Sequence, residues 1–442
     1  MESGSLKSPL VNKEEEARTS SSITSGLLLS TSVAVTGSFV YGCAMSYSSP
    51  AQSEIMEELG LSVTDYSFFT SIMTFGGMIT AAFSGKIAAL IGRRQTMWIS
   101  DVFCLFGWLA IAFAQVPVYI AEITPQKIRG GFSFSNQLLQ SFGISLMFLI
   151  GNFFHWRTLA LLSAIPCGIQ MICLVFIPES PRWLAMYGRD RELEVTLKRL
   201  RGENSDLLEE AAEIRETVET SRRESQSGVK DLFKMKNAHP LIIGLGLMLL
   251  QQFCGSSAIS AYAARIFVTA GFPSNIGTSI LAVILVPQSL IVMFAVDRCG
   301  RRPLLISSSI GLCISSFFIG LSYYLQKHGD FQEFCSPMLM VGLVGYVLSF
   351  GIGLGGLPWV IMSEVFPVNV KVTAGSLVTV SNWFFSWIVI FSFNFMMQWS
   401  AFGTYYIFSG VSLVSAIFVW TIVPETKGRT LEDIQTSLGQ HS

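Results

Sequence analysis

The sequence predicts an all-α protein that crosses a membrane many times, and three observations carry that prediction. The 442 residues are 51% hydrophobic and only 13% charged, with a mean hydropathy of +0.52, which is too apolar for a soluble globule. Apolar runs recur at the length of about 20 residues that a spanning helix needs, and barrel strands are much shorter. The charged residues gather between these runs. Together they indicate a polytopic helical bundle.

Eleven apolar segments are long enough to be spans. They fall near 26–47, 66–91, 97–114, 132–153, 157–177, 239–262, 275–296, 303–324, 338–362, 373–396 and 401–423. The eight cysteines lie mostly inside them and show no CxxC spacing, so we expect packing residues. We expect no metal, no cofactor and no nucleic-acid partner, and the sequence leaves homo- or hetero-oligomers open.

The distribution of lysine and arginine predicts the orientation in the membrane. The loop 48–65 contains neither residue, whereas Arg93, Arg94 and Arg129 flank loops that would face the cytoplasm. The segment 1–25 is polar and lacks the basic start and apolar core of a signal peptide. We therefore expect a disordered N-terminal tail in the cytoplasm.

A polar stretch divides the spans into two groups. Segment 178–238 holds twelve lysine or arginine residues, and its apolar spacing suits short surface helices. We expect an N-terminal transmembrane half over 26–177, a cytoplasmic linker over 178–238, a C-terminal transmembrane half over 239–423 and a cytoplasmic tail over 424–442.

Three short motifs occur once in each half, in the same order. They are Gly-Arg-Arg at 92–94 and 300–302, Glu-x-x-Pro at 122–125 and 364–367, and Pro-Glu-Ser at 178–180 matched by Pro-Glu-Thr at 424–426. Such repeats are typical of transporters built from two duplicated halves, whose substrate site lies between the halves near the midplane of the bilayer.

The spacing of these motifs indicates that the first half is short by one helix. Gly92 and Glu122 are 30 residues apart, whereas Gly300 and Glu364 are 64 apart, a shortfall of 34. That is about one span and a loop. The number of spans gives the same indication. Two loops on the same side of a membrane are separated by an even number of spans, yet a single span, 97–114, separates two basic loops that should both face the cytoplasm.

A set of segments in order along the chain resembles the sugar porter family of the major facilitator superfamily. They include GKIAALIGRR (85–94), PVYIAEITPQKIRGG (117–131), PESPRWL (178–184), QQFCGSSAISAY (251–262), DRCGRRPLL (297–305), GLPWVIMSEVFP (356–367) and PETKGRTLE (424–432). YGCAMSYSSPAQ (41–52) and SFSNQLLQSFG (133–143) are similar to the plant early-responsive-to-dehydration group of vacuolar monosaccharide transporters.

This resemblance implies a major facilitator fold of two six-helix halves, here with about eleven spans. It also implies transport of a monosaccharide such as a hexose. The location that it favours is the vacuolar membrane over the plasma membrane. The fourth helix of the family would lie between Gln115 and Val116. Ala89, Ser257 and Gly356 depart from residues that are usual in the family.

Sugar recognition needs fixed hydrogen-bond donors and acceptors and an aromatic face. Amides are costly inside a membrane unless they face a cavity or bond between helices. The resemblance implies that four amides contact sugar, namely Gln137, Gln251, Gln252 and Asn382, and Trp359 and Trp383 offer ring faces. Sugar contact and helix bonding remain equally open for Ser257, Tyr262 and Gln288. A packing role suits Gln140 and Trp387 better.

Charged loop residues suggest a gate that joins the two halves on the cytoplasmic side. Arginine–carboxylate pairs can hold a wet interface and still separate, although positive-inside anchoring explains part of the arginine count. The resemblance implies a gate set of Arg93, Arg94, Glu122, Arg129, Glu179, Arg182, Asp297, Arg301, Arg302, Glu364, Lys371 and Glu425.

The absence of an acid from the first span favours facilitated diffusion. Proton-coupled relatives carry an aspartate where Ala44 stands here, and a proton-coupled carrier needs an ionisable group in the membrane. An enzyme is not expected, because the sequence shows no catalytic triad, metal or phosphate-loop arrangement. The alternatives are a transport-inactive short form and a sugar sensor, either of which would modulate a full-length relative.

Overall fold

The computed structural model describes residues 24–107, 129–202, 207–224, 235–329, 332–366 and 370–427. Within those ranges the backbone is helical apart from turns and short connections. The first half contains α1 Ser25–Leu59, α2 Val63–Ile91, α3 Arg93–Gly107, α4 Arg129–Ile150 and α5 Trp156–Leu174. The linker contains α6 Pro181–Met186, α7 Asp190–Arg201 and α8 Leu207–Glu224.

The second half contains two helices that are broken near the middle of their path. It comprises α9 Met235–Phe253, α10 Ser256–Thr269, α11 Ser274–Cys299, α12 Arg301–His328, α13 Gln332–Ile352, α14 Leu357–Val365, α15 Lys371–Trp399 and α16 Ala401–Ile422. The breaks separate α9 from α10 and α13 from α14.

Helices lie at the position of every expected span, and the all-α membrane fold is confirmed. Among the described residues, 8 helical segments are long and apolar enough to cross a membrane, and Gln137–Ile150 and Thr158–Leu174 are shorter apolar helices. Helix α3 is described as far as Gly107. The number of crossings stays a prediction. Most of the expected tails, 1–25 and 424–442, lies outside the described residues.

The first half is held together by a close crossing of α1 and α4. A Cβ atom at Gly42 would overlap the carbonyl of Gln140, and one at Gly143 would overlap the carbonyl of Phe39. Small residues let membrane helices approach until their backbones touch, which maximises van der Waals contact where no hydrophobic driving force exists. The crossing also fixes α4 parallel to α1, since Gly151 near the end of α4 meets Pro50 near the end of α1.

The two halves meet through hydrogen bonds on the side opposite the linker. Ser48 on α1 donates to the carbonyl of Ala261 at 3.2 Å, and the backbone N–H of Ala264 donates to Ser49 at 2.9 Å. Asn394 on α15 donates to Ser67 on α2 at 2.8 Å. These contacts seal that face between the halves.

The linker packs against the start of α1. The hydroxyl of Thr24 donates to the carbonyl of Leu200 at 2.6 Å and accepts from the N–H of Leu27, so the residue that caps α1 also binds α7. Linker residues Trp183, Leu184, Leu193, Leu197 and Ala211 form a buried apolar cluster of their own.

Candidate functional site

The breaks in the second half release backbone groups from helical hydrogen bonding near the middle of the bundle. Gly255, between α9 and α10, has φ of 96°, a left-handed conformation that glycine adopts without strain. Residues 353–356 separate α13 from α14 as turns. Irregular backbone at membrane depth is tolerated where it is buried in protein or lines a cavity, and broken helices mark many transporter sites.

Gln251 and Asn382 form a buried amide pair at these breaks. The Nε2 of Gln251 donates to the carbonyls of Leu354 at 2.5 Å and Gly355 at 3.2 Å. Its Oε1 accepts from the Nδ2 of Asn382 at 2.9 Å. The backbone opened between α13 and α14 therefore fixes the orientation of Gln251, which in turn orients Asn382.

Gln252 belongs to a second chain of polar contacts beside the first. Its Oε1 accepts from the hydroxyl of Ser257 at 2.5 Å, and that hydroxyl accepts from Ser386 at 3.0 Å. The sequence analysis missed Ser386. The signal was present, because residues four apart share a helix face and Ser386 lies four residues after Asn382.

Two polar groups in this cluster have no described protein partner. The Nε2 of Gln252 and the Oδ1 of Asn382 make no hydrogen bond with the residues that the structure describes, although both residues are buried. One group is a donor and the other an acceptor. A neutral ligand with hydroxyl groups could satisfy both.

Aromatic residues lie on both sides of this region. Trp383 packs edge to face with Tyr41 of the first half at 6.0 Å between ring centroids, and a Cβ on Gly77 would come within 2.8 Å of its ring. Trp359 is partly buried against an apolar cluster that includes Met248 and Phe366. Trp383 therefore lies at the junction of the two halves.

The remaining candidates for sugar contact lie elsewhere in the bundle. Tyr262 is buried in the seal between the halves, where it stacks on Phe393 at 5.3 Å. Gln288 joins α11 to α13 by donating to the carbonyls of Val347 at 2.7 Å and Leu348 at 2.9 Å. Gln137 on α4 is partly exposed, and the described residues give it no hydrogen bond.

In the first half, Glu179 caps the start of α3. Its Oε1 accepts from the backbone N–H groups of Arg93 at 2.9 Å and Arg94 at 3.1 Å. A carboxylate at a helix N-terminus satisfies unpaired N–H groups and interacts favourably with the helix dipole. Gly92 precedes the cap with φ of 97° and ψ of 160°, a region that is open almost only to glycine.

In the second half, Glu425 caps α12 in the same way. It accepts from the backbone N–H groups of Arg301 and Arg302, both at 3.0 Å. Partial burial opposes its ionisation, but backbone hydrogen bonds from Lys427, Arg301, Arg302 and Thr426 outweigh it and hold the pKa of Glu425 below its usual value. Gly300 precedes this cap with φ of 88°.

The described contacts of the expected gate residues lie within each half. Arg301 forms an ion pair with Glu364 of its own half at 3.3 Å, and Glu179 and Glu425 each cap a helix of their own half. Arg182 lies on α6. Glu122 and the side chains of Arg129, Asp297 and Lys371 lie outside the described residues. A gate that joins the two halves stays a prediction.

The structure adds one buried acid that the search of the first span did not find. Asp101 on α3 is 6% exposed, and its Oδ2 has no hydrogen-bond partner among the described residues. It is also the sole Asp or Glu within the eleven expected spans, a signal that the sequence already contained. An ionisable residue inside a membrane is a functional candidate.

Two helical halves joined by a linker, with broken helices at a buried polar cluster, give this chain the fold of the major facilitator superfamily. Solved structures of the xylose transporter XylE share this fold. One from E. coli, in a partially occluded inward open conformation, has a TM-score of 0.76 and 23% identity, and covers 92% of this chain and 100% of that one. Another, the proton:xylose symporter bound to 6-bromo-6-deoxy-D-glucose, has a TM-score of 0.74 and 24% identity, and the match covers 94% of this chain and 99% of that one.

The chain belongs to the sugar transporter family. Residues 19–438 match the family described as Sugar (and other) transporter. Sugar transporter ERD6-like 1 of Arabidopsis thaliana is 85% identical over 464 residues, covering 100% of both chains, and Sugar transporter ERD6-like 2 of the same organism is 76% identical, covering 99% of both. The resemblance found in the sequence is thereby confirmed. The chain is a sugar transporter and not an enzyme.

Proposed function

We propose that this chain binds a monosaccharide at the Gln251–Asn382 cluster and carries it across the membrane by alternating access. The observation that carries the proposal is the pair of unused polar groups, Gln252 Nε2 and Asn382 Oδ1, in a cluster whose other groups are already bonded. Neither atom is among the fully buried unpaired atoms, so each can reach a ligand, and a bound hydroxyl would give each a hydrogen bond. A hexose presents such hydroxyls.

The junction position of Trp383 supports alternating access at this site. Its ring contacts Tyr41 and lies over Gly77, both in the first half, and Asn382 is adjacent to it in sequence. A movement of one half against the other would change the environment of Trp383 and of the neighbouring amide together. Binding and movement are thereby linked through α15.

A substitution pair tests the site. In a version with the missing segment restored, Gln252→Ala should lower uptake of labelled hexose more than it lowers the amount of protein in the membrane, because Gln252 Nε2 is one of the two groups left for the sugar. Losing a hydrogen bond to a neutral sugar costs ~0.5–1.5 kcal/mol, so affinity should fall by about twofold to tenfold. Gln288→Ala is the control, because Gln288 is equally buried and bonds only helix to helix in the described contacts. Equal loss of transport and protein in both variants would contradict the proposal.

We further propose that transport is facilitated diffusion, on the ground that the first span has no acid. Uptake into vesicles should equilibrate with the external sugar, and a protonophore should leave the final internal concentration unchanged. Accumulation that collapses with the pH gradient would refute this, and Asp101→Asn would then show whether Asp101 is the coupling group.

The expected placement is in the vacuolar membrane with the N-terminus in the cytoplasm. The basic residues on the linker side support the orientation. The similarity to the plant early-responsive-to-dehydration group supports the vacuole. Fluorescent tagging against tonoplast and plasma-membrane markers tests the membrane, and protease protection of an N-terminal tag tests the orientation.

A second proposal is that this short form transports weakly on its own. The alignment with the 85% identical relative runs over 464 positions against 442 residues here, a difference of 22, which is smaller than the shortfall of 34 in the motif spacing but still enough for one span. Helices α3 and α4 both begin on the linker side, since Arg94 contacts the carbonyl of Ile177 and α4 runs parallel to α1. Two consecutive spans that run in the same direction require a further crossing between them, which agrees with the shortfall of one helix in the sequence.

Such a crossing is physically unfavourable with so few residues. Only 21 residues, 108–128, lie between the described ends of α3 and α4, and they include Pro117 and Pro125. A crossing takes about 20 helical residues to satisfy its own backbone groups in the hydrocarbon, and a proline inside a helix removes one hydrogen bond. The arrangement supports poor insertion of the first half, and with it a form that acts by modulating a full-length relative.

A further inference from the structure

A cavity of about 350 Å³ lies where the linker meets the first half. It is lined by the start of α3, the segment that contains Pro178 and Glu179, and one face of α7. Charged residues that line it are Arg94, Glu179, Arg189, Glu192 and Arg199. The cavity thus lies at the edge of the bundle on the linker side, remote from the amide cluster.

The carboxylates that line this cavity are already engaged. Glu179 accepts three backbone N–H groups at the start of α3 and of α6, including that of Ser180 at 2.9 Å. Glu192 forms an ion pair with Arg189 at 2.6 Å. Glu192 is thereby neutralised by Arg189, whereas Glu179 keeps its charge, so the three arginines and two glutamates of the cavity leave one positive charge in excess.

The other two arginines form no ion pair with the described residues. Arg94 donates to the carbonyl of Ile177 at 3.0 Å, and Arg199 donates to the carbonyl of Phe176 at 2.5 Å. A guanidinium has five N–H donors, and a carbonyl uses one of them without cancelling the charge. Both guanidinium groups can still bind an anion.

A second cavity of about 400 Å³ continues from the first toward the lipid. Arg94 and Gln95 line both cavities, and the rest of the second is apolar, formed by Trp98, Ile99, Leu174 and Val175. Trp98 is 43% exposed and Val175 is 68% exposed, so this groove between α3 and α5 opens to the hydrocarbon. A cationic cavity and an apolar groove therefore share one wall.

We propose that the two cavities together bind one anionic phospholipid from the leaflet on the linker side. Its phosphate headgroup lies against Arg94 and Arg199, and an acyl chain lies along Trp98 and Val175. Basic cavities between membrane helices bind anionic headgroups on the cytoplasmic side, where the leaflet surface is negative. The expected orientation places the linker on that side.

The site also connects the bound lipid to the start of α1. Arg199 and Thr196 belong to α7, and α7 is bonded to the start of α1 through Leu200 and Thr24. A bound headgroup would hold α7 against α3 and α5 by contacting Arg94 and Arg199 together. The lipid therefore stabilises the docking of the linker on the first half.

Native mass spectrometry of the detergent-solubilised chain tests this, with phosphatidylinositol and phosphatidylcholine as probes. We expect tighter binding of phosphatidylinositol. Val195→Glu places an acid at the cavity on a residue that is 68% exposed, so folding should not suffer. It should weaken phosphatidylinositol binding about fivefold, the factor that ~1 kcal/mol per charge near an anionic surface gives. Leu208→Glu is the matched control, 74% exposed on α8 and away from the cavity, and should change nothing.

A charge series at Arg199 gives a second measurement. Arg199→Gln should weaken binding to a similar degree, and Arg199→Lys should restore most of it. Equal binding of the two lipids, or equal effects of Val195→Glu and Leu208→Glu, would overturn the proposal. So would binding of soluble glycerophosphoinositol as tight as that of the lipid, since a free anion site needs no apolar groove. Lipid binding is measured without sugar, so this outcome is separate from the transport activity.

Discussion

The two halves of the molecule cap their linker-side loops alike but differ in the interior of the helices that follow. Glu179 binds the first N–H groups of α3 as Glu425 binds those of α12, and the preceding glycines have φ of 97° and 88°. Deeper in, the halves diverge. The offset that relates Gly92 to Gly300 takes Asp101 to Ser309.

The interior difference is one of hydrogen-bond satisfaction. Ser309 donates to the carbonyl of Leu305 at 2.9 Å and lies 3.2 Å from the hydroxyl of Ser415 on α16. Asp101 and Gln170, at the corresponding depth of α3 and α5, each leave a buried oxygen without a partner among the described residues. The loop geometry is the same in both halves because the backbone conformation requires it. The satisfaction of buried oxygens differs position by position, since Ser316 and Tyr405 of the second half also lack partners among the described residues.

The largest effect on sugar uptake should come from giving the first half the segment that it lacks. Inserting the 22 positions by which the 85% identical relative exceeds this chain, between Gln115 and Val116, should convert weak sugar uptake into robust uptake. The physical reason is that a full span satisfies its own backbone in the bilayer. Uptake of labelled sugar by reconstituted vesicles measures this change. Insertion of a scrambled apolar segment of equal length shows how much of the recovered uptake comes from the additional crossing alone. Robust uptake by the 442-residue chain would contradict the prediction.

Substituting the two cap glycines compares the loops directly. Gly92→Ala and Gly300→Ala should each lower the free energy of unfolding by about 1–3 kcal/mol, because alanine is strained at these angles. Gly92→Ala should cost more, since a Cβ there overlaps the Glu179 carboxylate, whereas one at Gly300 lies 2.9 Å from that of Glu425. Gly60→Ala is the control, with φ of 61° and nothing within 4 Å. Thermal melts should place the three variants in the order of their loss of melting temperature, with Gly92→Ala lowest. A loss for Gly60→Ala as large as the others would contradict the role of the carboxylates.

Replacing the buried acid with its counterpart tests the interior difference. Asp101→Ser should raise the free energy of unfolding of this chain by about 1 kcal/mol or more, because a buried polar atom without a partner is costly. The reverse exchange, Ser309→Asp, should destabilise, since it breaks the bond with Ser415. A melting temperature that falls for Asp101→Ser would show that Asp101 is satisfied in the folded protein.

The smallest effect concerns the stability of the protein at low pH. The pKa of Glu425 lies below its ordinary value of 4.5, so the native state favours the carboxylate form. Its contribution to stability is complete above that ordinary value and is lost as the pH falls through the lowered pKa. Wild type should therefore lose more melting temperature between pH 7 and pH ~3 than Glu425→Gln does, and equal losses would contradict the capping role.

Composition and the lengths of the apolar segments were enough to predict an all-α membrane protein, and the family resemblance supplied the particular fold. Spans of about 20 apolar residues can be recognised in a sequence because the thickness of the bilayer fixes their length. The Gly-Arg-Arg and Pro-Glu repeats predicted the two halves. Gln251, Gln252, Ser257 and Asn382 were chosen from sequence, and the structure brings these four together. Amides in a membrane stand out because each must be paired there.

Only the tertiary structure decided how those residues bond. Gln251 is bonded to Leu354, more than 100 positions away, and Asn382 donates to the Oε1 of Gln251. The same holds for Glu179 and Glu425, which cap helices of their own half, where the sequence suggested pairs across the halves. The physical reason is that a spacing in sequence restricts neighbours within one helix, whereas a partner on another helix depends on how the helices break and pack.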